Sequence, residues 1–198
     1  MKKALCFILV GTLAISIALT GCTSNERSSG NYSQQDTADQ TVQSSDLFQT
    51  MDTVDLDGNS VDSSTFSNYK ITLVNVWNVG CKPCIEELGI LDQLNKEFEE
   101  QGGAVRGLYN GFTPATDLTS EEREEIAEIL KAEGAEYPQW LPSQKMLDTD
   151  IFQQWDAFPG TFIVDSQGNI LDKLDGDNDY EGWKQVMENA LRQVNENE

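Results

Sequence analysis

The chain has 198 residues, of which 38% are hydrophobic, and a formal net charge of −21 from 13 basic and 34 acidic side chains. A chain this acidic repels phosphate backbones, so the composition argues against a nucleic-acid partner. Histidine is absent, which excludes Ser-His-Asp triads, Cys-His pairs, most zinc sites and haem ligation through histidine. Any chemistry must therefore come from carboxylates, thiols, hydroxyls, amines or a cofactor.

The first 21 residues have the composition of a secretory signal. Met1–Lys3 is basic, Ala4–Leu19 is apolar and uncharged, and Leu-Thr-Gly-Cys ends at Cys22. This tetrapeptide resembles the bacterial lipobox, whose cysteine carries diacylglycerol and becomes the new N-terminus. We therefore expect residues 1–21 to be a lipoprotein signal peptide and the lipid on Cys22 to anchor the protein at the outer face of the bacterial cell membrane. A plain signal peptide or an uncleaved anchor helix is the alternative.

Residues 22–46 are rich in serine, glutamine, asparagine, threonine and aspartate. Such a segment buries too little surface to offset the entropy of ordering, so we predict a disordered polar tether that holds the domain away from the membrane. On this interpretation Cys6 is removed with the signal peptide and Cys22 is capped by lipid. Neither thiol can then join a redox or metal site in the mature protein.

From residue 47 to residue 198 the pattern is that of one globular domain. Residues 54–61 alternate around an Asp-Gly-Asn turn and predict a β-hairpin. Residues 71–77 are β-branched or apolar almost throughout, which is typical of a central buried strand. Apolar residues then recur every three or four positions from Ile85 to Phe98 and predict an amphipathic helix.

The second half of the domain alternates in the same way. Residues 104–109 predict a strand, and Thr119 is the expected N-cap of a helix that continues to Lys131, with acids in its first turn. The remaining predicted elements are a short helix over 145–154, a hairpin over 161–171 and an amphipathic helix over 183–194. This order predicts an α/β sheet covered by helices.

The sequence Cys81-Lys82-Pro83-Cys84 lies between the predicted buried strand and the helix that follows. A thiolate at a helix N-terminus faces unpaired N–H groups and the positive end of the helix dipole. Thiols of Cys-X-X-Cys motifs in such positions have pKa values of roughly 3.5–7.5 instead of about 8.5. Because one helical turn separates the sulfurs, the second thiol can resolve a mixed disulfide formed by the first.

Other interpretations of Cys81 and Cys84 compete with redox chemistry. A structural disulfide closing so short a loop constrains the unfolded chain little. A zinc half-site needs about two more nitrogen or sulfur ligands, and none remain. The strand–motif–helix setting argues against a chance pair. The pattern favours a redox pair, and a binding lipoprotein with a fixed disulfide remains the non-enzymatic alternative.

Residues 74–88 resemble the active-site segment of TlpA/ResA-type membrane-anchored thioredoxin-like proteins, and residues 158–168 resemble the cis-proline loop and hairpin of that family. The resemblance extends from about Leu47 to Val194. It implies a thioredoxin fold, with a central mixed β-sheet flanked by helices and an N-terminal β-hairpin extension. It further implies a thiol-disulfide oxidoreductase without a cofactor, extracytoplasmic protein partners with exchangeable disulfides, and a membrane electron donor. We expect a monomer.

The resemblance also implies a role for each site residue. Cys81 is the expected attacking thiolate and Cys84 the buried resolving thiol. Pro159 is the expected cis-proline, which faces the cysteine pair, presents the preceding backbone to the partner and keeps metals off the thiols. Glu87 matches a family acid behind the disulfide that can exchange a proton with Cys84. The sequence is equally compatible with an exposed helix acid at this position.

The chain departs from the family at several positions. Gly80 replaces a tryptophan that normally shapes the partner-docking surface, so the choice of partner is open. Gly89 replaces a common proline. Asn75 stands where thioredoxins place a buried aspartate, which leaves Glu87 as the obvious candidate for moving the proton of Cys84.

The resemblance also bears on the direction of exchange. We expect a reductase, because relatives of this type mostly pass electrons outward from a membrane donor, and a disulfide-forming oxidase is the alternative. A peroxide-reducing redoxin fits less well, since no threonine and arginine cluster surrounds a lone cysteine. Asp175–Asp179 resembles a calcium loop but lacks the glycine and glutamate of an EF-hand, so no metal is predicted.

Overall fold

A mixed β-sheet organises the computed structural model, which describes residues 46–196. The strands are β1 (Asp52–Asp55), β2 (Ser60–Asp62), β3 (Ile71–Trp77), β4 (Gly103–Tyr109), β5 (Gln139–Leu141), β6 (Gly160–Asp165) and β7 (Ile170–Asp175). Within the described residues they form one seven-stranded sheet in the order β2-β1-β5-β4-β3-β6-β7. β3, β4 and β5 are parallel, and all other neighbours are antiparallel. The predicted signal peptide, Cys22 and nearly all of the predicted tether lie outside the described residues.

Helices cover both faces of this sheet. They are α1 (Lys82–Phe98), α2 (Ser120–Glu133), α3 (Gln144–Leu147), α4 (Asp150–Gln153) and α5 (Tyr180–Glu196). α1, α2 and α5 pack on one face, where they bury Leu73 and Trp77 of β3. α3, α4 and the segment 47–51 pack on the other face, over Val74 and Val76. Since successive residues of a strand point to opposite faces, β3 must be apolar nearly throughout, as its sequence is.

The helix boundaries follow from local sequence. α1 begins with Pro83 in its first turn, where the missing proline N–H costs no hydrogen bond. α2 begins with a capping box, in which Thr119 and Glu122 each accept a backbone N–H of the other residue. Its C-cap is Gly134, whose φ of 70° is the left-handed conformation that glycine adopts without strain. The predicted N-cap at Thr119 is confirmed.

Several elements differ from the sequence-based expectation. β5 was not predicted, because it is only a Gln-Trp-Leu segment between Pro138 and Pro142, and its pairing with β1 and β4 is entirely tertiary. The single short helix expected over 145–154 is two helices, α3 and α4, interrupted where the Thr149 hydroxyl donates to the Met146 carbonyl. α5 begins at Tyr180 rather than at Trp183.

The first described residues belong to the core. Leu47 and Met51 are buried, and Phe48 is fully buried, with its ring edge-on to Phe66 at 5.5 Å and to Phe162 at 5.3 Å between centroids. These contacts attach the segment before β1 to the centre of the sheet. Within residues 46–196, no helix is both long and apolar enough to cross a membrane.

We predict that Phe48→Ala lowers the free energy of unfolding by about 3–5 kcal/mol, because the loss of a buried ring leaves a cavity between Phe66 and Phe162. Urea unfolding monitored by circular dichroism measures the change. Phe112→Ala is the matched control: this ring is 60% exposed, and its removal should change stability by less than about 0.5 kcal/mol. Equal effects of the two substitutions would contradict the packing described here.

Candidate active site

Three loops meet at one edge of the sheet. In the strand register, Trp77 at the end of β3 lies beside Tyr109 at the end of β4, and Val76 lies beside Gly160 at the start of β6. The chain leaves β3 and β4 and enters β6 at this same edge. The topology therefore places the loops 78–81, 110–113 and 156–159 next to one another.

The first of these loops carries Cys81, which is the N-cap of α1 and forms a disulfide with Cys84. The Cα atoms of the two residues are 5.3 Å apart. The backbone N–H of Cys84 points at the Cys81 sulfur, with an N–S distance of 3.2 Å. Cys81 is 9% exposed and Cys84 is fully buried. Cys84 is therefore the more enclosed of the two residues, and the order of attack expected from the sequence stays a prediction.

The turn before Cys81 is held by Asn78. Its side-chain Oδ1 accepts the Gly80 N–H at 2.9 Å, and its carbonyl accepts the Cys81 N–H at 3.1 Å. A Cβ at Gly80 would meet nothing within 4 Å except that Asn78 Oδ1. Where the related family places a tryptophan, this chain therefore has no side chain beside Cys81.

Lys82, the residue between the thiols that carries a positive charge, forms an exposed ion pair with Glu86 one turn along α1. Both side chains are mostly in solvent. An exposed pair of this kind contributes little energy, and the carboxylate of Glu86 offsets the field that Lys82 exerts at the sulfur.

Pro159 lies in the third loop, and the Phe158–Pro159 peptide bond is cis, as the family resemblance implies. The Pro159 carbonyl accepts the N–H of Gly176 at 2.9 Å, which links the loop to the end of β7. Phe158 packs against the apolar cluster that contains Cys81 and Cys84. The structure therefore brings Pro159 to the same edge of the sheet as the disulfide.

Glu87 is 2% exposed, so it is not an exposed helix acid. It follows Cys84 by one turn on the buried side of α1. Its Oε1 accepts a hydrogen bond from Asn75 Nδ2 at 2.8 Å, and its Oε2 accepts from Trp183 Nε1 at 2.9 Å and from the Asn178 N–H at 3.3 Å. The carboxyl therefore lies on the buried side of α1, one turn after Cys84, and accepts hydrogen bonds from three residues.

Burial raises the pKa of Glu87 to about 7, because a charged carboxylate loses its hydration there. The hydrogen bonds from Trp183, Asn75 and Asn178 oppose this shift, and the negative charge of Asp177 adds to it. The result is a buried group that gains and loses a proton near neutral pH. Such a pKa suits a general acid–base group.

Sequence reasoning missed the partners of Glu87. Asn178 lies in the turn that was compared with a calcium loop, and Trp183 was assigned to an amphipathic helix only for its apolar ring. Trp183 is 96 residues from Glu87 in the chain, and nothing local indicates that its indole N–H donates to a carboxylate. In residues 46–196 no group of three or more cysteine, aspartate or glutamate side chains is arranged to hold a metal ion.

A sequence model of the AhpC/TSA family matches residues 35–173, which is more than half of the chain. The chain belongs to the AhpC/TSA family. It is also 22% identical over 141 residues to the thiol-disulfide oxidoreductase ResA of Bacillus thuringiensis strain Al Hakam, covering 71% of this chain and 72% of that protein.

Several solved structures share this fold. A thiol:disulfide interchange protein of the thioredoxin family from Chlorobium tepidum has a TM-score of 0.58 at 19% identity, over 72% of this chain and 93% of that one. A secreted thiol-disulfide isomerase from Corynebacterium glutamicum has a TM-score of 0.57 at 19% identity, over 72% and 84% of the two chains. These comparisons confirm the predicted thioredoxin fold and TlpA/ResA-type resemblance. The relatives are named as thiol-disulfide enzymes, which is the class predicted from the sequence.

We predict that the free energy of unfolding attributable to Glu87 falls by up to about 3 kcal/mol as pH rises from about 4.5 to about 7. In this window the folded protein keeps the proton of Glu87 while the unfolded chain has released it, so the folded state binds more protons and loses stability as pH increases. Urea unfolding across this range measures the slope. Glu87→Gln should remove this contribution, so the free energy of unfolding of the variant should fall less between about pH 4.5 and pH 7 than that of the wild-type protein. The same dependence on pH in both proteins would contradict a raised pKa of Glu87.

Proposed function

We propose that this protein is an extracytoplasmic thiol-disulfide oxidoreductase that exchanges its Cys81–Cys84 pair with the disulfides of protein partners. The observation that carries the proposal is the disulfide at the N-terminus of α1, in which Cys81 is 9% exposed and Cys84 is fully buried. The cis-proline loop beside it and Glu87 behind it support the same chemistry. So do relatives named as thiol-disulfide oxidoreductases.

The reduced protein begins the exchange at Cys81. Its thiolate attacks one sulfur of the partner disulfide, a mixed disulfide forms, and the other partner sulfur leaves as a thiolate. The Cys84 thiolate then attacks Cys81 and closes the Cys81–Cys84 bond, which releases the second partner thiolate. The partner disulfide is thereby reduced and the cysteine pair oxidised. A dithiol protein at the membrane then restores the pair by the reverse exchange.

Glu87 is the proposed acceptor of the Cys84 proton in the second step. Cys84 is fully buried, so water is a poor acceptor, whereas a carboxyl with a pKa of about 7 lies one turn away. Asn75 can accommodate both protonation states. Its Nδ2 donates to the carboxylate and to Thr161 Oγ1, while its Oδ1 has no partner among the described residues. A half-turn of the amide would present Oδ1 to the protonated carboxyl.

Pro159 is the proposed docking element for the partner backbone. It occupies the loop between α4 and β6, next to the end of β3 from which Cys81 follows. The segment before Pro159 can pair with an extended partner chain in the manner of an added strand, which uses main-chain groups and so accepts many sequences. This broad acceptance suits an enzyme that acts on disulfides of several proteins.

The protein is proposed to act from the outer face of the cell membrane, with lipid on Cys22 and residues 22–46 as a tether. The basic, apolar and lipobox-like segments at the N-terminus support this location. The Corynebacterium relative is named as a secreted isomerase, which is consistent with it. Monomeric behaviour remains an expectation from the sequence.

A peroxide-reducing function is less well supported. Such enzymes need an arginine at the reacting cysteine, and the arginines of the described residues are engaged elsewhere. Arg106 bonds the Val105 carbonyl, Arg123 bonds the Leu56 and Ala115 carbonyls, and Arg192 bonds Asn189. A binding lipoprotein with a fixed disulfide is the other alternative, and the position of the disulfide at the N-terminus of α1, at the same sheet edge as the cis-proline loop, argues against it.

Thiol trapping tests the proposed function. Cys84→Ser should accumulate covalent mixed disulfides with partner proteins, because no resolving thiol remains, whereas Cys81→Ser should form none. Non-reducing electrophoresis, with and without dithiothreitol, detects the adducts. Adducts on Cys81→Ser alone would reverse the two roles. A wild-type pair that exchanges with glutathione only after denaturation would identify a structural disulfide.

For the direction of exchange we predict a reductase, with a midpoint potential near the thioredoxin value of about −270 mV. The motif has no histidine before Cys84, and Lys82 is paired with Glu86, so little positive charge remains to stabilise the thiolate and make the pair an oxidant. Equilibration with glutathione buffers, followed by quantification of free thiols, gives the potential. A value near about −120 mV would assign the protein to the disulfide-forming oxidases.

A further inference from the structure

We infer that Phe112 is a specificity-determining residue that binds an apolar side chain next to the exchangeable cysteine of an extended partner segment. The inference rests on the proposed thiol exchange at Cys81 and assigns that site a substrate preference. It depends on where the loop after β4 lies and on how its backbone presents the phenylalanine ring.

Phe112 is exposed to an unusual degree for its type. Its exposure is 60%, and among the described residues the only other exposed large hydrophobic side chain is Leu171, at 37%. Leu171 lies on the edge strand β7, whereas Phe112 lies in the loop 110–113 at the same edge of the sheet as Cys81 and Pro159. An exposed aromatic ring beside a reactive site is a typical anchor for a partner.

The loop holds this ring in place. Asn110 is fully buried, its Oδ1 accepts the Phe112 N–H at 3.0 Å, and its own N–H donates to the Trp77 carbonyl at 2.8 Å. Trp77 ends the strand that leads to Cys81, so the loop and the thiol turn are attached to the same backbone. Phe112 has a φ of 59°, a left-handed conformation that a bulky residue rarely adopts. The fold thus accepts backbone strain to keep an aromatic residue here.

The ring is continuous with the apolar surface of the active site. Phe112 meets Phe158 edge-on at 5.9 Å between centroids, and Phe158 meets Trp155 at 6.0 Å. Phe158 immediately precedes Pro159 and packs on the cluster that contains both cysteines. A partner chain that docks beside Pro159 with its sulfur at Cys81 therefore passes the Phe112–Phe158 pair.

On the other flank of Cys81, Gly80 has no side chain, and within 4 Å a Cβ at this position would meet the polar Oδ1 of Asn78 at 3.3 Å. Among the described residues, the exposed aromatic surface at this edge of the sheet comes from Phe112, which packs against Phe158. The occupant that fits is an extended peptide segment with an aliphatic or aromatic residue adjacent to its cysteine. Burial of such a side chain against the ring favours binding, and a polar residue at this position gains nothing.

Two disulfide-linked peptide dimers test the inference. The peptides are identical except that the residue next to the single cysteine is leucine in one and serine in the other. The reduced full-length protein is mixed with each dimer, and the release of peptide thiol gives the second-order rate constant. Each turnover converts one peptide disulfide into two thiols and closes the Cys81–Cys84 bond, so no other reductant is needed.

We expect the wild-type protein to react about tenfold faster with the leucine dimer, and Phe112→Ala to react with both dimers at rates within about twofold of each other. Phe112→Asn should lose the preference in the same way. Asparagine tolerates a positive φ, so this variant separates loss of the ring from any disturbance of the backbone. Leu171→Ala is the matched control, which should keep the wild-type rates and the wild-type preference.

The outcomes separate this inference from the proposed function. Exchange by the wild-type protein without a preference, or a preference that survives in both Phe112 variants, would overturn the role of Phe112 and leave the thiol chemistry in place. If the wild-type protein exchanged with neither dimer nor with glutathione disulfide, the proposed function would fail and this inference with it.

Discussion

The burial of the Glu87 carboxyl is the constraint on which the rest of the site depends. A carboxyl can leave water only where hydrogen-bond donors replace it, and here the donors come from separate parts of the fold: Asn75 on β3, Trp183 on α5 and the Asn178 backbone before α5. These contacts therefore hold α1 against β3 and against the start of α5. The same contacts fix Cys84, one turn earlier on that helix.

This network makes α5 part of the site. The helix would otherwise be a cover for one face of the sheet, packed through Met187 and Leu191. Trp183 contributes both apolar packing and a hydrogen bond, since its ring is fully buried in that face and its N–H donates to Glu87. A buried hydrogen-bond network that is only partly satisfied is sensitive to change. A substitution at Trp183 therefore alters both the surroundings of the Glu87 carboxyl and the packing of α5.

The sequence is most informative where structure is local. The buried strand, the position of Cys81 at a helix start, and the Thr119 cap are each specified by a few adjacent residues, and all were predictable. β5 was not, because three residues between prolines have no periodicity and exist as a strand only through β1 and β4.

The environment of Glu87 is unpredictable for a similar reason, since its pKa depends on burial and on donors far away in the chain. Glu86 is exposed and paired with Lys82, whereas Glu87 is enclosed, so one step around the helix axis separates a solvated acid from a titrating buried one.

Chemistry and partner recognition are encoded in different parts of this chain. Asn75, Cys81, Cys84 and Glu87, the residues of the proposed proton path, lie within one strand–helix unit, and Trp183 and Asn178 complete the environment of Glu87 from α5 and the turn before it. The surface around Cys81 is assembled from the loops after β4 and before β6, which belong to other units. On the proposed role of Phe112, an aromatic contact for the partner comes from the loop after β4 and not from position 80, where this chain has a glycine. Loops that only meet at a sheet edge can vary independently of the strand–helix unit, and this separation allows one thiol chemistry to serve different partners.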